Sequence, residues 1–367
     1  MKIVLAIPYN PLEEIGGLEI STIRLAISLK KFGCDVRILT KGCSGLNGEV
    51  HIDGKKDMKE ICEWLVRNHK EFDILNWMEI FPEAGEINIQ CLTSGLLRYY
   101  GKKVFLTVAT SGNLENRGKG DFVRSLIQNT MDGYIVLNSG QLIEFQEYGI
   151  KKNIYPIGFG IDTKKTFRPI DFDKKIELRK KLNLPINAVL FLSIGRLVER
   201  KHPDFLLKTW QTLRDIYDKA FLVMIGSGFG QHDSIEEEVV KLAKECRNLI
   251  FRKMSFALDP SEYYQSCDAL IFNSEREGQP NVIMEAMACS MPIIGSEIPG
   301  VIELVKDGEN GLIFPVGNSE KLTEAIRRLS YNSELRIRLG KAGRNSIVKE
   351  KDIEYIAKQY IKLYKQN

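Results

Sequence analysis

The chain of 367 residues contains no pair of cysteines in C-x-x-C spacing. Its seven cysteines, Cys34, Cys43, Cys62, Cys91, Cys246, Cys267 and Cys289, are scattered, and their odd number excludes a complete disulfide framework. They read as reduced thiols of a cytoplasmic protein. The four histidines, His51, His69, His202 and His232, stand apart from one another and from cysteine, so zinc-type spacing is missing and no metal is expected. No apolar run approaches the length that spans a bilayer. The run in Met1–Pro8 is too short for a signal h-region and ends at Pro8-Tyr9-Asn10-Pro11 like a strand entering a loop. A net charge of +4, with bases interleaved among acids, gives no concentrated basic face for nucleic acid. Internal repeats and low-complexity tracts are also missing.

What is present is a chain with 44% hydrophobic and 27% charged residues, long enough for a sizeable core and for two domains. Apolar runs alternate with amphipathic helical stretches, the pattern of α/β proteins with doubly wound parallel sheets. Strands are expected at Ile3 to Ile7, Asp35 to Leu39, Val104 to Val108 and Gly133 to Leu137. A second series runs through Val189 to Ser193, Ala220 to Ile225, Leu249 to Phe251, Ala269 to Phe272, Pro292 to Ile294 and Gly311 to Phe314. A helix from Glu19 to Phe32 would bury Ile20, Ile23, Leu25, Ile27 and Leu29, with Gly33 as its stop. Residues 154–169 are rich in Gly and Pro and 171–181 are dense in charge, which puts the domain boundary near residue 168. The expected organisation is therefore residues 1–168, residues 169–350 and a terminal helix in 351–367.

The most informative stretch is Ser274 to Glu303, which holds Glu277 and Glu285 separated by seven residues. Asp268 to Phe272 is of strand type, Gly278 and Pro280 punctuate a loop, and Val282 to Cys289 has helical composition. Glu277 would thus project from a loop after a strand, and Glu285 from the following helix, both near the carboxyl edge of a parallel sheet. Carboxylates there accept hydrogen bonds from sugar hydroxyls, although a helix-start acid and a solvated helix residue would read the same way in isolation. Arg196 follows a strand, and Lys201 lies five residues on, so both can reach one crevice. Arg can fork two phosphate oxygens while Lys acts as a point charge.

The run Glu277 to Glu285, continued by Ala286-Met287-Ala288, Pro292 and the Gly300 to Glu303 turn, resembles the retaining glycosyltransferases of family 4 with the GT-B fold. Ser193-Ile194-Gly195-Arg196-Leu197 with Lys201 resembles that family's diphosphate-binding segment, and Gly16-Gly17 its glycine loop after the first strand. Gly160, Asp162, Phe167 and Pro169 resemble its interlobe stretch. The resemblance implies two Rossmann-like lobes with the site in the cleft between them, and a terminal helix crossing back to the first lobe. It implies transfer of a hexosyl group from a nucleotide-diphosphate sugar to a hydroxyl acceptor by a front-face route, with no metal and no side-chain nucleophile. A UDP-sugar is the first expectation for the donor, with GDP- and ADP-sugars as alternatives.

By the same resemblance, Arg196, Lys201 and Glu277 would carry the chemistry. Glu285 would bind the ribose, Gly278, Gln279, Pro280, Asn281 and Val282 would line the sugar pocket, and Gly195, Gly226, Gly16 and Gly17 would let backbone approach the donor. Where many members of the family carry a histidine, this chain has Ala109-Thr110-Ser111-Gly112-Asn113, so Thr110, Ser111 or Asn113 would serve the acceptor side without imidazole chemistry. A stretch of Arg98, Tyr99, Tyr100, Lys102, Lys103 and Phe105 is a candidate for peripheral contact with an anionic membrane face. A nicotinamide-binding reading fails because the third glycine of G-x-G-x-x-G is Gln231, and Asp171-Phe172-Asp173 lies in the connection rather than at a strand end. A sugar phosphorylase, a nucleotide-sugar epimerase and a catalytically weak binding subunit remain open alternatives.

Overall fold

The computed structural model describes residues 1–12, 16–47, 49–80, 85–109, 121–230, 233–255 and 259–366. The chain forms two compact units, Met1–Gly160 with the residues from Asp352 onward, and Ile161–Lys351. The division falls at Gly160 rather than near residue 168, because Ile161 and Phe167 are buried in the core of the second unit.

Eight strands build the sheet of the first unit: β1 (Lys2–Ile7), β2 (Asp35–Lys41), β3 (Gly45–Asn47), β4 (Val50–Lys55), β5 (Ile74–Trp77), β6 (Lys103–Val108), β7 (Gly133–Val136) and β8 (Ile154–Pro156). Their order is β3-β4-β2-β1-β5-β6-β7-β8, parallel throughout except for the edge pair of β3 and β4. Alternation along the strands divides the core. Val4, Ala6, Leu75, Trp77 and Leu106 face one side, while Ile3, Leu5, Ile38 and Phe105 face the other. Both faces are covered, as parallel sheets require.

The helix Gly17–Lys31 buries Ser21, Thr22, Leu25, Ala26, Ser28 and Leu29, leaving Ile20, Ile23 and Ile27 only partly covered. The expected apolar face is therefore rotated. The small side chains on the buried face allow close packing with the helix Ile353–Gln366, and the Ser28 hydroxyl donates to the Ile353 carbonyl at 3.4 Å. That terminal helix buries Ile356, Ala357, Tyr360 and Tyr364 in the same core layer. Its Tyr364 hydroxyl accepts a 2.8 Å bond from the buried Asn76 amide, whose own oxygen accepts from Thr107 at 3.1 Å.

The second unit holds a six-stranded, wholly parallel sheet: β9 (Val189–Arg196), β10 (Ala220–Ser227), β11 (Leu249–Lys253), β12 (Ala269–Phe272), β13 (Ile293–Ser296) and β14 (Gly311–Phe314). The order β11-β10-β9-β12-β13-β14 makes β9 and β12 the central pair, from which the chain winds outward in opposite directions. Such a switch point leaves a crevice at the carboxyl ends of the two strands. At the opposite edge, Asp268 accepts from Lys175 at 2.6 Å, from Arg179 at 2.6 Å and from the Leu190 amide at 2.7 Å, tying the starts of β12 and β9 to the helix Phe172–Lys181. Asp171 caps that helix by accepting from the Lys174 amide at 2.9 Å, which gives the first acid of the D-x-D triplet a structural use.

Candidate functional site

At the carboxyl ends of β9 and β12 a pocket is lined by Gly195, Arg196, Lys201, Phe272, Asn273 and Ser274. β9 delivers Arg196 at its last position, and a single 3-10 turn, Glu199–Lys201, returns Lys201 to the same edge. The neighbouring strand ends alongside, with Gly226 in register with Gly195 and Ser227 with Arg196. A Cβ on Gly226 would lie 2.6 Å from the Gly195 carbonyl oxygen, so the strand ends pack this closely only with glycine there.

The 3-10 turn is joined to the loop after β12 through several bonds. The Glu275 amide donates to the Arg200 carbonyl at 2.9 Å, and the Asn273 side-chain amide donates to the carbonyls of Lys201 at 3.0 Å and His202 at 2.6 Å. The His202 ring pairs with Glu275 at 2.7 Å. Glu277 sits between the two segments. Its Oε1 accepts from Lys201 Nζ, from Arg200 Nη1 at 2.7 Å and from the Ser274 hydroxyl at 3.1 Å. Lys201 also lies over the Phe272 ring, 4.9 Å from its centroid.

Electrostatics follow from this packing. Burial pulls the Lys201 ammonium below its ordinary value, Glu277 opposes the change, and the nearby Arg200 and Arg196 add to it. Burial on its own would raise the Glu277 carboxyl, yet Lys201 and Arg200 outweigh it and hold the group below the usual carboxylate range. Two cations thus hold one carboxylate, with Arg196 close to the lysine, leaving a positive surplus at a strand-end crevice where an anion can bind.

The expected sugar-pocket segment leads directly from Glu277. Gly278 is buried, Gln279 donates to the Met284 sulfur at 3.1 Å, and Pro280 precedes the helix Asn281–Ala288, accepting from the amides of Ile283 and Met284. The positive end of that helix, with Asn281 and Val282 in its first turn, starts at this loop. Glu285 lies in its second turn, nearly covered, and close enough to Cys289 to help burial push that thiol up to about 12. Gly300 explains the P-G-V-I-E turn, because a Cβ there would meet the Glu277 and Gly278 carbonyl oxygens at 2.6 and 2.7 Å.

The remaining expected residues come from the amino-terminal part of the chain. Gly16 and Gly17 belong to the first unit, where Gly16 caps the helix Gly17–Lys31 and the room above it is filled by Glu19, whose carboxylate would lie 2.0 Å from a Cβ. Thr110, Ser111 and Asn113 lie outside the described residues; Ala109, just before them, donates to the buried Glu79 carboxylate at 3.1 Å. The basic aromatic stretch is largely committed to internal contacts. Phe105 is in the core, Arg98 pairs with Asp132 at 2.8 Å, Tyr100 stacks on His69 at 4.4 Å, and Lys103 donates to the Tyr364 carbonyl at 3.3 Å. Tyr99 remains exposed. The sequence did not single out Arg200 or Ser274, whose part in the cluster depends on a bend that brings residues 74 to 77 positions apart into contact. The adjacency of Arg200 to Lys201 was the available signal.

The family match of the chain falls in this same unit. The model for glycosyl transferases group 1 matches residues 174–346. The lipopolysaccharide core biosynthesis glycosyltransferase LpsE of Rhizobium meliloti is 29% identical over 185 residues, covering 50% of this chain and 52% of that protein. An N,N'-diacetylbacillosaminyl-diphospho-undecaprenol alpha-1,3-N-acetylgalactosaminyltransferase of Campylobacter jejuni is 27% identical over 242 residues, covering 63% of this chain and 59% of that one. The matched part spans about half the length of these curated relatives. Among solved structures, Anabaena HepE in complex with UDP-glucose superimposes with a TM-score of 0.81 at 15% identity, covering 100% of both chains. Sucrose-phosphate synthase of Thermosynechococcus elongatus gives 0.82 at 20% identity over 100% of this chain and 99% of that one. The chain has the GT-B fold of these enzymes.

Proposed function

We propose that the protein is a retaining glycosyltransferase of the group 1 type, moving a hexosyl group from a nucleotide-diphosphate sugar to a hydroxyl acceptor. One observation carries the reading: Arg196 and Lys201 line one strand-end pocket, and Glu277 is paired with that lysine. Breaking the bond from an anomeric carbon to phosphate builds negative charge on the diphosphate. Arg196 and Lys201 would neutralise that charge in the transition state, the contribution that dominates when a leaving group is an anion. The acceptor oxygen bonds to the anomeric carbon on the face the diphosphate leaves, and its proton passes to a departing phosphate oxygen. Glu277 would orient the donor hexose and Glu285 the ribose, with the start of the helix Asn281–Ala288 directed at the same ligand. UDP-glucose in the HepE complex and the transferase names of the relatives support a nucleotide sugar as donor, with UDP the first base to try.

The test is a thermal-shift series with UDP, GDP, ADP and their sugar conjugates. At a concentration about a hundred times Kd, one diphosphate should stabilise the protein by about 2.7 kcal/mol. Product anomers read by NMR should keep the donor's configuration. Indifference to all three diphosphates, or an inverted product, would overturn the reading.

A further inference from the structure

Arg200 is the cation of the cluster that the proposed chemistry leaves without a task. It stands next to Lys201 on the 3-10 turn, and its guanidinium donates to the same carboxylate oxygen of Glu277 that Lys201 holds. Its carbonyl accepts from the Glu275 amide at 2.9 Å, so the backbone that carries it is fixed to the loop that carries Glu277. A lysine whose charge is shared with a carboxylate has less to offer a phosphate, and it turns to the phosphate at lower cost where another cation holds the carboxylate. We propose that Arg200 is a positioning residue that retains Glu277, ionised and in place, when Lys201 turns from it to the donor diphosphate. The handover is an exchange of ion-pair partners in which no covalent bond changes.

The surroundings of Glu277 leave this role to Arg200. On its own loop, Glu275 is engaged with His202, and Arg276 offers its carbonyl to Arg200 at 3.4 Å. Arg196, at the end of β9, lines the pocket near Lys201 and is the group proposed above to meet the phosphates. The helix Pro299–Ile302, which packs on the Glu277 backbone through Gly300, carries no charged side chain. Lys201 and Arg200 are the cations that contact the Glu277 carboxylate among the described residues. With Lys201 withdrawn, a protein lacking the arginine would keep a mostly covered carboxylate against a single hydroxyl, and the pair would resist separation.

This inference rests on the diphosphate-binding reading, and the experiment separates the two. The full-length protein, labelled with carboxyl-13C glutamate, is titrated by NMR as wild type, Arg200→Met and Arg200→Lys, with the Glu277 signal assigned by its loss in Glu277→Gln. Calorimetry with the best-binding nucleoside diphosphate of UDP, GDP and ADP follows on the same samples. The Glu277 signal should titrate at higher pH in Arg200→Met than in wild type, and Arg200→Lys should restore the lower midpoint. Diphosphate affinity should fall on the order of tenfold in Arg200→Met and recover in Arg200→Lys. In Arg200→Met, saturating diphosphate should raise the Glu277 midpoint further, whereas in wild type Arg200 should limit that rise. Equal midpoints in wild type and Arg200→Met overturn the proposal, as does an unchanged affinity. If wild type binds no diphosphate, the functional reading and the handover both fall, while the midpoints still report whether Arg200 holds the carboxylate.

Discussion

Replacing Lys201 with methionine separates function from stability, and the cluster geometry indicates how far. Methionine keeps an unbranched stem against Phe272, over whose ring the ammonium now lies at 4.9 Å. The substitution removes one of three donors to Glu277 Oε1, but Arg200 at 2.7 Å and Ser274 at 3.1 Å remain. The carboxylate is therefore not orphaned, and the penalty of about 3 to 5 kcal/mol for stranding a buried charge does not apply. A buried ammonium is also removed, one whose proton affinity burial has already reduced. These effects oppose each other, so the unfolding free energy in urea should change by no more than about 1 kcal/mol. Turnover should respond differently. A preorganised donor aimed at the leaving group is worth about a hundred- to thousandfold in rate, and Arg196 cannot supply both positions. The assay pairs denaturant melts with release of free nucleoside diphosphate from the donor sugar. Wild-type turnover in a folded Lys201→Met protein would refute the assignment, and a loss of several kcal/mol in stability would refute the account of the cluster.

Three further substitutions test the scaffold. Gly300→Ala forces a methyl group against the carbonyls of Glu277 and Gly278, and should cost about 1 to 3 kcal/mol in a thermal melt while lowering transferase activity, since the displaced loop carries Glu277. Asp268→Asn leaves the almost fully buried Arg179 without its carboxylate and should cost about 3 kcal/mol or more in urea unfolding. Burial raises the Asp268 carboxyl, but Lys175 and Arg179 more than offset this and hold it below its ordinary value. The wild-type pair is thus fully stabilising above the unfolded value near 4 and is lost as pH falls through the lower folded value, so the asparagine variant should lack that acid-side slope. Tyr364→Phe removes the acceptor of the buried Asn76 amide and should cost about 1 to 3 kcal/mol, measured as the urea midpoint.

Wholly apolar strands were legible in the sequence because both faces of a parallel strand are buried; the expected ranges for the strand at Gly311 and the one at Ala269 match the observed bounds. The edges were not. β4 reads V-H-I-D-G-K, with no apolar run, and exists through its pairing with β2 and β3, while β8 lies in a Gly- and Pro-rich stretch that reads as connection. The helix Gly17–Lys31 was legible as an element, but its buried face was not, since serine and threonine gave no hydrophobic signal for a close helix pair. In the site, Arg196, Lys201 and Glu277 could be named from their positions after strand-like runs. The partnership of Arg200 with Glu277 could not, because it depends on how two loops meet at the sheet edge.

In chain order the second unit is an insert, since residues 161–351 interrupt a unit whose last helix, Ile353–Gln366, fills one side of its sheet. On the ribosome the inserted sheet has its whole sequence available while the outer one still waits for Ile356, Tyr360 and Tyr364. A fragment ending at residue 160 would show a bare apolar flank and an Asn76 amide deprived of its phenol acceptor, inviting aggregation, whereas the inserted segment is the natural piece to produce by itself.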